Sequence, residues 1–271
     1  VSNGMTGVAT MSYNRYNLHV HADKTWFFFD DVILALGSGI TLRQNYQTGD
    51  SVITTVSQIN FVQGNYTIGY QNGTTQTLGL GTYDVEAPSW MYHDHIGYLF
   101  LNGNEVLRSN AQRIEHGQFF TDIFTAWLDH GPAPLHASYA YALLPNVNEE
   151  ATQRYAEDPP IEILAQSSKI HAVCHKPSKN IGAVFRDHTT TLLIKTCDLL
   201  ETLSITVQHP IIILIEVSEP HMEISVADPR QSLSEVTICL TLGQQERAVV
   251  VTLPDNDSNK GSTVTLSVDF S

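Results

Sequence analysis

A chain of 271 residues carries 14 lysines and arginines against 28 aspartates and glutamates, a formal charge of −14 at neutral pH. That balance excludes a nucleic-acid partner, whose phosphates require basic patches, and it argues against this chain alone gripping an acidic polymer. Hydrophobic residues make up 42%, enough for a sizeable core, and no uninterrupted apolar run is long enough to span a membrane.

In chain order, Val1-Ser2-Asn3-Gly4 reads as a mature or processed end rather than a signal peptide. Val8–Met11 and Leu18–His21 are short strand-like pieces. They lead into the stretch that anchors the rest, Lys24 to Ile40. Its aromatic run, Trp26-Phe27-Phe28-Phe29, turns at Asp30-Asp31 and continues as Val32-Ile33-Leu34-Ala35-Leu36. Aromatic and β-branched residues favour strands, and the aspartates supply the turn. Apolar on successive residues, both strands are expected to be covered on both faces, with Gly37 and Gly39 ending the second.

Ser51–Ile59 reads as a further strand, and the polar stretch 63–82 as a hairpin or loop turning at Gly64-Asn65 and Asn72-Gly73. A strand-like stretch at Trp90–Phe100, a turn at Asn102-Gly103, and strands at Phe119–Leu128 and Ala137–Pro145 follow. The sequence offers one convincing helix, Asn148–Ala156, with asparagine at the N-cap and acidic residues in the first turn; Pro159-Pro160 stops it. Beyond it, strand-like runs return at Ile161–Leu164, Ile170–Cys174, Thr189–Lys195, Ile211–Val217, Met222–Val226, Val236–Leu242 and Ala248–Leu253. The expected fold is all-β, a large antiparallel sandwich over residues 1–159 followed by a smaller β-sandwich over 160–271.

Several residues invite a chemical reading. His19/His21 and His93/His95 would each place two imidazoles on one strand face, yet the spacing supplies no third ligand, so neither metal nor cofactor is expected. Asp129-His130 lacks a nucleophile elbow and is read as structural. Trp90, Tyr92 and Tyr98 are the candidates for stacking on sugar rings. Cys174, Cys197 and Cys239 permit one disulfide with one thiol left over, and spacing does not select the pair. Sequons at Asn65, Asn72 and Asn256 point to a secreted, extracellular glycoprotein.

These motifs together resemble polysaccharide lyase family 8, the hyaluronate, chondroitin AC and xanthan lyases. The similar stretches are Lys24–Ile40, Thr54-Thr55-Val56, W-L-D-H-G-P-A-P at Trp127–Pro134 and Y-A-Y-A-L-L-P-N at Tyr139–Asn146. Y-A-E-D-P-P-I-E-I-L at Tyr155–Leu164 and V-A-D-P-R-Q at Val226–Gln231 follow in the same order. Two departures stand out: Thr25 where the family has serine, and Ser57-Gln58-Ile59 where it reads Glu-Asn-Arg.

The resemblance implies a β-supersandwich and a C-terminal β-sandwich, with β-elimination on a uronic-acid polysaccharide carried out by an α/α-toroid. That toroid supplies the family's catalytic Asn, His, Tyr and Arg, with a Glu in the connection before the supersandwich. None of them maps onto a residue here, so no catalytic residue is expected in this chain and the isolated chain should be inactive. The expected partners are an acidic polysaccharide and a helical N-terminal half, as a separate chain or oligomeric partner that also supplies strands preceding Val1. The alternative is a secreted, non-catalytic carbohydrate-binding, storage or structural glycoprotein derived from such a lyase.

Overall fold

The computed structural model describes residues 1–15, 19–43, 49–103, 106–116 and 119–270; the expected strand residue Leu18 lies outside them. Strands β1 (Gly7–Arg15), β2 (Val20–Phe28), β3 (Ile33–Leu42) and β4 (Ile53–Asn60) open the chain. Then come β5 (Tyr66–Gly69), β6 (Thr75–Leu78), β7 (Gly81–Glu86), β8 (Trp90–His93), β9 (Ile96–Phe100), β10 (Val106–His116), β11 (Phe119–Asp129) and β12 (Ala137–Pro145). Helix α1 (Glu149–Glu157) precedes β13 (Ile161–Gln166), β14 (Ile170–His175), β15 (Asn180–Phe185), β16 (Leu192–Ile194) and β17 (Leu203–Val207). The chain closes with β18 (Ile212–Ser218), β19 (His221–Ala227), β20 (Glu235–Leu242), β21 (Gln245–Thr252) and β22 (Val264–Asp269). The protein is mostly β, in antiparallel sheets with one helix among the described residues.

The chain divides into two compact units. A central unit comprises Ser12–Asp23 and Asp31–Pro159, and a C-terminal unit gathers Val1–Met11, Lys24–Asp30 and Pro160–Ser271. An eight-stranded sheet runs β1-β2-β3-β12-β9-β8-β5-β6, and a four-stranded sheet β4-β11-β10-β7. Polar clasps join the inner faces of these two sheets in the central unit. Tyr98 Oη donates to Ser57 Oγ at 2.9 Å, and the Tyr66 and Ser109 hydroxyls pair at 2.6 Å. Phe61, Tyr66, His93 and Phe124 form an aromatic cluster between them, Phe124 fully buried. Each such ring contributes about 2–3 kcal/mol through burial.

The Asp30–Asp31 bend lies between β2 and β3 as the sequence predicts. Cover on both faces holds for β3, where Leu34 to Ser38 are all buried. It does not hold for β2, where burial alternates and Phe28 is 41% exposed. The second strand also does not end at Gly37; β3 continues to Leu42. Gly37 instead gives way to a ring, since a Cβ there would strike Tyr139. Gly39 supplies the positive φ of 63° where the pairing of β12 with β3 shifts between Ala137 and Tyr139.

Helix α1 begins where the cap residue predicts, with Asn148 Oδ1 accepting from Ala151 N–H at 2.8 Å. Two contacts seat it on the outer face of the eight-stranded sheet: Thr67 Oγ1 donates to Glu149 at 2.8 Å, and Gly97 leaves room for Thr152 and Val147. Tyr155 Oη donates to Asp31 Oδ2, tying the helix to the bend before β3.

In the C-terminal unit, β13-β14-β15-β18-β19-β22 and β16-β17-β20-β21 enclose one apolar core that includes Ile213, Ile215, Ile224, Ile238 and Leu240. The sandwich is stapled by a Cys174–Cys197 disulfide, leaving Cys239 as a free thiol. The V-A-D-P-R-Q motif ends β19 in a turn built on Asp228. Its carboxylate accepts from the backbone N–H of Arg230 (2.9 Å), Ser232 (2.7 Å) and Leu233 (2.9 Å). Burial pushes the Asp228 pKa up, but these donors and the Ser232 hydroxyl outweigh it and hold the carboxyl below its usual range. Asp228→Ala should destabilise the C-terminal unit by about 1–3 kcal/mol, because three backbone donors lose their acceptor together. Urea unfolding checks this, and an unchanged midpoint would mean that the turn does not depend on Asp228.

Candidate functional site

Period-two alternation separates the three aromatic candidates. Trp90 and Tyr92 share one face of β8, whereas Tyr98 pairs with Met91 and shares the other. Tyr98 is only 1% exposed and bonds to Ser57, so its ring is a core ring and the three do not form one platform. Tyr92 is half-buried on the outer face.

Trp90 lies at the floor of a cleft of about 290 Å³ between the β5–β6 hairpin and α1. A Cβ at residue 69 would enter the indole, so this strand position needs glycine for the ring to lie across it. The hairpin wall carries Tyr70, Gln71, Gly73 and Thr75; the turn is closed by Gly73 N–H to Tyr70 C=O and by Gly73 at φ 80°. The helix wall carries Gln153, Ala156 and Glu157, with Gln153 Nε2 donating to Glu157 Oε1 at 2.9 Å, and Ser89 completes the rim. Of these, sequence reasoning identified Trp90 alone. The remaining signal was the glycine inside a short strand, which marks close approach of another group.

The histidine pairs are not face-sharing pairs. Asp94 and His95 adopt positive φ (48° and 63°) in the β8–β9 turn, which takes His95 into solvent, and His93 points into the aromatic core with no exposed surface. Burial holds the His93 pKa below its ordinary value. His19 has φ 53°, before β2, and His21 lies 3.5 Å from Asp23. Among the described residues no group of three or more His, Cys, Asp or Glu is arranged to hold a metal ion.

Asp129 and His130 have different partners. Asp129 takes an ion pair from Arg108 at 3.1 Å and the Gly131 N–H at 2.7 Å, while His130 Nε2 meets Thr54 Oγ1 at 2.8 Å. Thr25 is fully buried in the C-terminal unit. Its hydroxyl meets His171 Nδ1 at 2.9 Å and Arg186 Nη2 at 2.8 Å, and Arg186 also reaches Thr10 at 2.8 Å. His171 is driven down to about 3, first by burial and then by the Arg186 charge.

Asn65, Asn72 and Asn256 are all exposed. Asn72 Oδ1 accepts from Thr74 Oγ1 at 2.7 Å and Asn256 Oδ1 from Ser258 Oγ at 3.0 Å, whereas Thr67 of the Asn65 sequon is buried and bonded to Glu149.

Two antiparallel sheets carrying one helix, and a second, disulfide-stapled β-sandwich, define a bimodular β-protein. Residues 1–156 match the polysaccharide lyase family 8 super-sandwich domain and residues 162–237 the C-terminal β-sandwich domain of the same family. The chain belongs to polysaccharide lyase family 8.

Among curated relatives, xanthan lyase of Bacillus sp. (strain GL1) is 30% identical over 254 residues, covering 86% of this chain and 26% of the relative. Chondroitinase-AC of Pedobacter heparinus is 28% identical over 284 residues, covering 100% of this chain and 36% of the relative. The chain therefore spans about a quarter to a third of these proteins. The solved chondroitinase AC lyase superposes with a TM-score of 0.81 at 25% identity, covering 98% of this chain and 39% of that one. Paenibacillus xanthan lyase shares the fold with a TM-score of 0.82 at 24% identity, covering 99% of this chain and 28% of that one.

Proposed function

We propose that this chain is the β-module of a secreted polysaccharide lyase acting on a uronic-acid-containing polysaccharide such as hyaluronan or chondroitin. In this reading residues 1–159 form the supersandwich part, residues 160–271 form the C-terminal sandwich, and the catalytic groups belong to helical sequence outside these 271 residues. The reaction is β-elimination. A base removes the C5 proton of the uronate, the electron pair forms the C4–C5 double bond, and an acid protonates the departing glycosidic oxygen. The module's part is to wall one side of the substrate cleft and to position the helical part.

The observation that carries this reading is the match of both β-domains to one lyase family, in order, over nearly the whole chain. The names of the relatives, chondroitinase-AC and hyaluronate lyase among them, support the substrate class. The exposed sequons and a buried disulfide support an oxidising, extracellular setting.

The isolated 271-residue chain, mixed with hyaluronan or chondroitin, should give no unsaturated product by ultraviolet absorbance. Turnover that disappears in His130→Ala would overturn both the placement of the chemistry and the structural role given to Asp129-His130.

A further inference from the structure

The cleft beside Trp90 has a composition that selects a ligand. Its lining residues include no lysine, arginine or histidine, and its one charged member is Glu157. A carboxylate at the rim repels uronates and sulfates but accepts well from sugar hydroxyls and amide N–H groups. Two glutamines line the space from different elements, Gln71 on the hairpin and Gln153 on the helix, and Ser89 lines it as well. Each offers both a donor and an acceptor, as a neutral polyhydroxylated ring requires. The half-buried Tyr70 phenol adds apolar and π surface for the C–H face of such a ring, while Trp90, only 3% exposed, closes the cleft from below. At about 290 Å³ the cleft is small by the standard of ligand pockets, suited to one sugar unit rather than a long oligosaccharide.

We infer that this cleft binds the neutral N-acetylhexosamine unit of the polysaccharide, a contact separate from the uronate on which elimination occurs. The inference rests on the lyase reading for its polymer but on the cleft's own residues for its selectivity. The site discriminates by charge: an unsulfated hexosamine enters, while a sulfated hexosamine or a glucuronate is turned away by Glu157. Hyaluronan, whose hexosamine is uncharged, is therefore preferred here over chondroitin sulfate.

The test uses the full chain carrying Asn72→Gln, so that no glycan at the hairpin competes, labelled with nitrogen-15. It is titrated separately with methyl N-acetyl-β-glucosaminide and methyl β-glucuronide. The Trp90 indole N–H and the Gln71 and Gln153 side-chain amides should shift with the first sugar and stay in place with the second.

Gln153→Ala, on the helix wall of the cleft, should weaken the response about tenfold by removing one bonding group. Glu157→Gln should narrow the difference between the two sugars, an effect that a merely structural helix residue would not produce. Equal shifts for both sugars, no shift in these three groups, or binding unchanged by Gln153→Ala would overturn the inference. Failure here with lyase activity intact in the native protein removes the cleft alone. Binding here without such activity removes the lyase reading alone.

Discussion

Replacing both Cys174 and Cys197 with alanine should lower the stability of the C-terminal unit by about 3 kcal/mol, from a loop-closure argument for a loop of roughly this length. The two cysteines are 23 positions apart, one on β14 and one in the segment after β16. Cross-linking them restricts the unfolded chain far more than the folded one, where core packing already fixes both. Both residues are buried, so alanine is a cleaner replacement than serine, which would bury a hydroxyl. Guanidinium unfolding with and without reductant measures the difference, and the wild type under reductant should approach the double variant. Thiol titration of the denatured, unreduced protein should find Cys239 alone. Three titratable thiols, or a midpoint insensitive to reductant, would contradict the assigned pair.

Acid should destabilise the C-terminal unit well before its carboxylates titrate, through His171. This imidazole meets Thr25 and has no exposed surface, and its burial, followed by the nearby Arg186 charge, holds its folded pKa at about 3. In the unfolded chain it titrates near its ordinary value of about 6.5. Below that pH the unfolded state binds a proton that the folded state refuses, so stability falls with falling pH. The fall begins at about pH 6.5, continues to about pH 3, and amounts to about 1.4 kcal/mol per pH unit while only the unfolded chain is protonated.

His93 does the same to the central unit, with its folded pKa also depressed by burial. Asp228 adds its own loss at lower pH. Its folded pKa lies below the usual range, so the stability it contributes at neutral pH is lost only as pH falls through the carboxylate range. The interval from pH 6.5 to 5 therefore isolates the histidines. Urea midpoints across it should slope down for wild type and flatten for His171→Gln in the C-terminal unit. A flat wild-type profile would show that His171 is protonated in the folded protein.

Local chemistry made much of the fold legible. Asn148 capped its helix, Asp30-Asp31 bent, and Asn72-Gly73 turned, because each depends on side chains close in sequence. Strands such as β15 (Asn180–Phe185) and β17 (Leu203–Val207) carry no local signal of this kind. Short mixed runs acquire strand character from the partners they meet across a sheet. Gly37 illustrates the same limit: as a residue it suggested a strand end, and its actual reason is the Tyr139 ring on β12. The disulfide pair depends on strand β14 and the segment after β16 arriving together, which spacing does not encode. The cleft was less legible still, since Gln71, Trp90 and Gln153 come from a hairpin, a strand and a helix. Pairing register, by contrast, explains simply why Tyr98 faces the core and Trp90 does not.

The most direct test of the lyase reading compares two preparations on hyaluronan and chondroitin. One is the isolated 271-residue chain, and the other is native protein captured from its source by an antibody to this chain, with its polypeptides sequenced by mass spectrometry. Under the lyase reading, unsaturated product forms with the native material alone, which also carries helical sequence continuous with, or bound to, this chain. Product from the isolated chain, or native material that contains no such helical sequence and cleaves neither polymer, would contradict it.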